Sequence, residues 1–229
     1  MSDFYQNGII TNLHNLRVQD TESLEKELLA FSKVRPMGLV LPSLYSELLS
    51  PALSKIVDEL TQVKYLSQIV IGLDRATKYE YKDAINYFAK LPQDHVILWN
   101  DGPRLKALDK KLQKMKIAPQ EMGKGRNVWY CFGYILASSK VESVALHDCD
   151  IVTYTRDMLA RLIYPVANPD FNYQFCKGYY SRVSKDKING RVCRLLVTPL
   201  IRSLMKMFPA NEYLEYLNSI NFIKPILRS

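Results

Sequence analysis

The chain has 229 residues, 48% of them hydrophobic and 24% charged, which is enough for a buried core and unlike the composition of a disordered chain. No run of about 18 or more apolar residues occurs, which argues against a transmembrane helix, and the opening Met1-Ser2-Asp3-Phe4-Tyr5-Gln6 has neither the basic nor the apolar stretch of a signal peptide. Thirty-one basic against 23 acidic residues give a net charge of +8, which suits anionic partners.

In chain order, Gly38-Leu39-Val40-Leu41 reads as a strand ending at Pro42. Ser50-Pro51 is a helix cap followed by proline at the first helical position, and Leu53, Ile56, Val57, Leu60 and Val63 then recur at helical spacing. Ile69 to Leu73 is a second strand, and Tyr79 to Lys90 suits a helix. His95 to Trp99 is a third strand, closed by the turn signal Asn100-Asp101-Gly102-Pro103. A basic amphipathic helix follows to about Lys116, and Asn127 to Ser138 suits a buried helix. Val144-Ala145-Leu146-His147 is a fourth strand running into Asp148-Cys149-Asp150. This alternation predicts an α/β fold, a mostly parallel sheet covered by helices, with ligands gathering at the carboxyl ends of the strands. Beyond it, Phe171 to Val183 is aromatic and reads as a hairpin, while Leu195 to Phe208 and Glu212 to Leu217 read as helices.

The sharpest chemical signal is Asp148-x-Asp150. Two carboxylates just past a buried strand can reach one small cavity, and a hard divalent cation prefers such oxygens while leaving places for phosphate. That cation would neutralise charge on a departing diphosphate. The bland alternative is a turn with two solvated acids; the position after a fourth strand favours the cation. Gly123-Lys124-Gly125-Arg126 precedes a helix, where glycines permit close backbone approach and a helix N-terminus favours anions. It is not a Walker A loop, and an ordinary basic loop is an equal reading on spacing alone. Asn189-Gly190-Arg191-Val192 is a turn with a guanidinium, which binds carboxylate or phosphate in a fork, or a plain surface turn.

His147 either orients Asp148 or is a satisfied, half-buried histidine, the commoner case. Tyr179 and Tyr180 line a sugar pocket or belong to the core. No Ser-His-Asp or Cys-His arrangement is visible, and His14 and His95 have no evident partner. The four cysteines, Cys131, Cys149, Cys176 and Cys193, are widely spaced, which fits reduced thiols and a cytoplasmic location. The basic residues are scattered, and the densest group, Arg104 to Lys116, reads as a solvated helix face. Nucleic acid is therefore not the expected partner.

Taken together, Leu39-Val40-Leu41-Pro42-Ser43-Leu44, Gly123-Lys124-Gly125, Asp148-Cys149-Asp150 and Gly190-Arg191-Val192 resemble the glucosyl-3-phosphoglycerate synthases, over about residues 35 to 205. The resemblance implies a single GT-A domain, with a nucleotide-sugar-binding half at about 35–150 and an acceptor-side half at about 151–229. It implies transfer of glucose from UDP-glucose to 3-phosphoglycerate with retention, assisted by Mg2+ or Mn2+ and needing no protein nucleophile. By the same analogy Pro42, Leu44, Glu47, Asp74, Lys124, Asp148 and Cys149 bind the donor. Asp150 and Asp148 hold the metal, and Gly190, Arg191, Val192 and Cys193 form the acceptor loop. A homodimer is expected from relatives.

Tyr45-Ser46 departs from the Asn-Glu usual in the family, with Glu47 one place on. No histidine follows His147, where the family supplies a further metal ligand, so a truncated or divergent member is expected. A nucleotide-sugar-binding remnant without activity, or a transferase using another donor such as GDP-mannose, are the alternatives.

Overall fold

The computed structural model of the chain describes residues 20–178, 183–184, 187–188 and 192–222. Gln19–Cys176 forms one compact unit, and the described residues from Lys177 onward belong to a second. In the first unit β1 (Met37–Leu44), β2 (Leu66–Asp74), β3 (His95–Trp99) and β4 (Ser143–Leu146) make one sheet in the order β3-β2-β1-β4. Every pairing is parallel, with Leu39 opposite Ile69 on one side and Ala145 on the other. The sheet is thus the α/β layer the alternating pattern predicts.

Both faces of the sheet are covered, which explains the unbroken apolar runs of β1 and β2. Successive side chains point to opposite faces. Leu39, Leu41, Ile69, Ile71 and Leu73 enter the larger core with α1 (Thr21–Phe31), α3 (Pro51–Leu60), α4 (Lys78–Phe88) and α7 (Arg156–Ala167). Val40 and Val70 face the other way and pack with Cys131 and Ile135 of α6 (Lys124–Ser138). The helix caps match their sequence signals. Ser50 Oγ accepts from the Ala52 N–H at 3.1 Å to start α3, and Thr77 and Glu80 cap α4 reciprocally at 3.3 and 2.6 Å.

Several expectations change. β1 continues through Pro42 to Leu44, pairing with β2 throughout, whereas its ladder with β4 stops at Val40. Val40 O accepts from His147 N on the β4 side. Alternation turns the nitrogen of Pro42 to that same side, past the end of β4 pairing, where no donor is required. α1 and α7 carry no mark in the sequence reading, yet they bury Leu24 and Leu28, and Leu159, Ala160 and Ile163. A third element, α5 (Pro103–Lys114), is amphipathic as its sequence predicts, but its inner face, with Leu105 and Leu112, is only half-buried. Polar ties hold it instead, Asp109 accepting from the Tyr130 hydroxyl and lying 3.6 Å from Arg126.

Residues 171–178 are irregular rather than the first strand of a hairpin; the short antiparallel pair is β5 (Val183–Ser184) with β6 (Lys187–Ile188). Further on, a π-helical turn, Cys193–Val197, leads into α8 (Thr198–Met207), and α9 (Glu212–Phe222) follows. His14, Tyr179 and Tyr180 lie outside the described residues.

Gly72 sets how α6 meets the sheet. A Cβ there would stand 1.8 Å from Asn127 Oδ1 and 2.6 Å from Cys131 Sγ. With hydrogen in that place, Asn127 Nδ2 donates to Gly72 O at 2.8 Å, and the first turn of α6 is pinned to the end of β2. Replacing Gly72 by alanine overpacks this contact. It is expected to cost about 1–3 kcal/mol, read as a lower urea midpoint with unchanged slope.

His147, directly after β4, is buried rather than half-buried, and its Nε2 has no partner among the described residues. Its ring meets Tyr154 edge-on at 5.4 Å. Burial pushes the imidazole down to about 4, against a smaller upward pull from Asp148. The unfolded chain therefore takes up this proton first, starting near pH 6.5, and stability falls until about pH 4, where the folded form is protonated too. The move from 6.5 to about 4 corresponds to roughly 3 kcal/mol at most. In metal-free buffer, His147→Gln should flatten the wild-type loss of urea stability between pH 7 and 4 by part of that amount; identical slopes for both proteins would refute the assignment.

Candidate functional site

In this sheet β2 and β3 lie to one side of β1, and β4 lies to the other. The strand order reverses between β1 and β4, the place where parallel α/β sheets bind ligands beyond their carboxyl ends. A cavity of about 270 Å3 opens there.

Three strand ends and one helix start line it. Pro42, Ser43 and Leu44 come from β1, and Glu47 from the short α2 (Tyr45–Leu48) that follows. Asp74 and Arg75 come from the end of β2, Gly123, Lys124 and Asn127 from the start of α6, and Asp148, Cys149 and Asp150 from the turn after β4. All eight residues that the sequence analysis placed at the donor and metal end therefore meet in one cavity. Ser43, Arg75, Gly123 and Asn127 also line it without having been singled out as donor contacts. Gly123 lay inside the basic glycine segment, Ser43 inside the Leu39–Leu44 motif and Asn127 at the expected start of a buried helix, whereas nothing in the sequence marked Arg75.

The Gly-Lys-Gly-Arg segment is not a loop before a helix. Lys124 is itself the first residue of α6, and Gly123 stands just before it at φ +138°, a region open to glycine. No side chain caps this helix start, so its free N–H groups and the positive end of its dipole face the cavity edge. Lys124 Nζ reaches across to Asp148 Oδ1 and forms an ion pair.

The acids have distinct settings. Asp150 is exposed, and Asp148 is half-buried with the Lys124 ammonium beside it. Asp74 is almost buried and accepts from the Arg75 N–H at 3.1 Å. Glu47 Oε2 accepts from the Leu44 N–H at 2.8 Å, fixing the turn after β1. Tyr45, at one departure from the family pattern, donates its hydroxyl to Asp83 of α4 at 2.8 Å. Cys149 is buried, and desolvation pushes its thiol well above the usual range, only partly offset by the Ser43 hydroxyl. It is a neutral packing group that ties the β4 turn to the β1 end, without thiolate chemistry.

Four carboxylates and two cationic side chains line the cavity. An anionic ligand entering it needs additional positive charge. Asp148 and Asp150 offer hard oxygens, which fit Mg2+ or Mn2+ rather than a sulfur- or nitrogen-seeking metal. Among the described residues no group of three His, Cys, Asp or Glu side chains converges to hold an ion. Two carboxylates suit an ion that shares its remaining positions with phosphate and water.

Of the expected acceptor loop, Gly190 and Arg191 lie outside the described residues. Val192 is exposed, and Cys193 opens the π-helical turn; both belong to the second compact unit.

No protein-family model matches the chain. Among curated proteins, a glucosyl-3-phosphoglycerate synthase of Persephonella marina is 46% identical over 97% of this chain and 55% of its own length. One from Methanococcoides burtonii is 40% identical over 88% of this chain and 50% of its own length. The chain thus spans about half the length of these relatives. Among solved structures, a mycobacterial protein superposes with a TM-score of 0.52 at 19% identity, covering 86% of this chain and 55% of that one. The glucosyl-3-phosphoglycerate synthase of Mycobacterium tuberculosis, in complex with Mn2+, uridine-diphosphate-glucose and phosphoglyceric acid, gives 0.50 at 18% identity, covering 81% and 56%. These likenesses show the fold, the α/β arrangement of GT-A enzymes. By its sequence, the chain is similar over most of its own length to about half of a glucosyl-3-phosphoglycerate synthase.

Proposed function

We propose that the protein transfers glucose from UDP-glucose to 3-phosphoglycerate with retention, giving glucosyl-3-phosphoglycerate and UDP. The observation that carries this reading is the convergence of Asp148, Asp150, Lys124 and the ends of β1 and β2 on one cavity, in a chain 46% identical to an enzyme of that name. In the reaction the acceptor hydroxyl oxygen bonds to the anomeric carbon. The bond from that carbon to the diphosphate breaks, and the hydroxyl proton passes to the departing diphosphate.

Pro42 and Leu44 serve as the wall for the uridine, with Glu47 holding their turn in shape. Asp74 lies toward the nucleoside. Lys124 and the free N–H groups of α6 stabilise the diphosphate as its charge grows, the main contribution expected of a site without a nucleophile. Asp148 and Asp150 would hold Mg2+ or Mn2+, which when bound supplies charge neutralisation at the leaving group. Cys149 keeps the two acids in register with β1. Gly190, Arg191, Val192 and Cys193 are assigned to the acceptor, where a guanidinium suits the phosphate and carboxylate of 3-phosphoglycerate. One GT-A domain with donor and acceptor halves, a homodimer and a cytoplasmic location complete the proposal. The free thiols of Cys131, Cys149 and Cys176 support the last of these.

With UDP-glucose, 3-phosphoglycerate and Mg2+, UDP release is expected from the wild type. Asp150→Ala and Lys124→Ala should each lower the rate by about 100-fold or more, and NMR of the product should show the donor's anomeric configuration. Transfer that persists in Asp150→Ala, or in the presence of a chelator, would contradict the proposal. UDP-glucose binding without turnover on any acceptor would replace it with a silent binding protein.

A further inference from the structure

Arg75 is held in a conformation that the chain's other elements do not require. Its φ is +55°, uncommon for a residue with a side chain. Among the described residues, the other non-glycine positions with positive φ, Lys116, Ser139 and Ala210, each follow a helix, where a left-handed residue ends the turn. Arg75 instead follows β2. Such strain persists only where the surroundings over-determine it, and it concentrates at ligand sites.

Here the surroundings are explicit. Asp74 Oδ1 accepts the Arg75 N–H at 3.1 Å, and Asp101 Oδ2 accepts the Ala76 N–H at 3.0 Å. Trp99 Nε1 donates to Ala76 O at 2.7 Å, and the Trp99 ring is stacked on Tyr81 at 4.8 Å. The α4 capping box closes the segment at Thr77. A rigid loop therefore carries Arg75 at the edge of the cavity. The arginine is exposed, and its guanidinium has no hydrogen-bond or ion-pair partner among the described residues. Lys124, the other cation lining the cavity, is already engaged by Asp148.

We propose that Arg75 is a specificity-determining residue for the nucleobase end of the donor, donating from its guanidinium to a base carbonyl beside Asp74. This rests on the function proposed above. β1 lies between β2 and β4, so the Asp74–Arg75 end of the cavity is two strand spacings, about 10 Å, from the Asp148 end. A diphosphate held at Lys124 and Asp148 directs its nucleoside toward β2. Asp74 uses one carboxylate oxygen on the Arg75 N–H, and the other has no partner among the described residues. A donor beside an acceptor complements a base edge with a carbonyl next to a ring N–H. Uracil has that edge; in cytosine the amino group and the bare ring nitrogen exchange the donor and acceptor positions, so a base held in the same orientation sets donor against donor and acceptor against acceptor.

The test is calorimetric titration of the full chain with UDP, CDP and inorganic diphosphate, each with Mn2+, for wild type, Arg75→Gly and Arg75→Lys. Glycine adopts φ +55° freely, so Arg75→Gly should melt at or above the wild-type temperature, which separates binding from folding. It is expected to bind UDP tenfold or more weakly, to bind diphosphate within twofold of wild type, and to lose preference for UDP over CDP. Arg75→Lys should remain weak, because an ammonium lacks the planar fork. UDP affinity within twofold of wild type in Arg75→Gly overturns the assignment while leaving the transferase reading intact. An equal loss for diphosphate and UDP overturns it too, placing the guanidinium on phosphate. A wild type that binds diphosphate but not UDP overturns both.

Discussion

The site depends on a close contact between a helix and a strand that has no side chain to spare. Gly72 lets the Asn127 amide occupy the space of a Cβ and donate to the strand carbonyl. This pins the first turn of α6 over the end of β2, and with it Lys124 and the free N–H groups that the helix presents. Any side chain at 72 would push the helix start away, and the cavity between β1 and β4 would lose one wall. The apolar remainder of α6, Cys131 and Ile135 against Val40 and Val70, supplies burial. The Gly72 contact supplies register.

Around that frame the electrostatics are unbalanced by design. Four carboxylates meet two cations in one cavity beyond the strand ends. Lys124 spans the crevice to Asp148 and offsets part of the excess. The buried neighbours of the acids are neutral, His147 as an uncharged imidazole and Cys149 as an undissociated thiol, both held so by desolvation. Charge is thus confined to groups that can meet a ligand, and the turn after β4 rests on uncharged packing.

The likeness to known proteins agrees with this arrangement. The relatives at 46% and 40% identity carry the name that the short motifs imply, and the GT-A likeness of the solved structures matches the parallel order of strands. The extent matters equally: the chain spans about half of those relatives, and among the described residues Lys124 is paired with Asp148 at the β4 end of the cavity.

Sequence alone determined the layer architecture and the place of the acids. Buried parallel strands must be apolar on both faces, so Gly38–Leu41 and Ile69–Leu73 stand out as short uniform runs, and a turn after such a run has to reach the ligand edge of the sheet. Tertiary structure decided what periodicity cannot encode. α1 and α7 became core helices only because the sheet offered them a face, and α5 stays a helix without burying any residue because Asp109 ties it to Tyr130 and Arg126. Pro42 stayed inside β1 because β4 ends early, the left-handed turn at Arg75 arose from Asp74, Asp101 and Trp99, which are distant in sequence or silent in pattern, and the exclusion of water from His147 came from Tyr154 and the strands beside it. Local sequence carries period and turn chemistry; which groups lose solvent, and which are forced together, is set by contacts among segments that no local window contains.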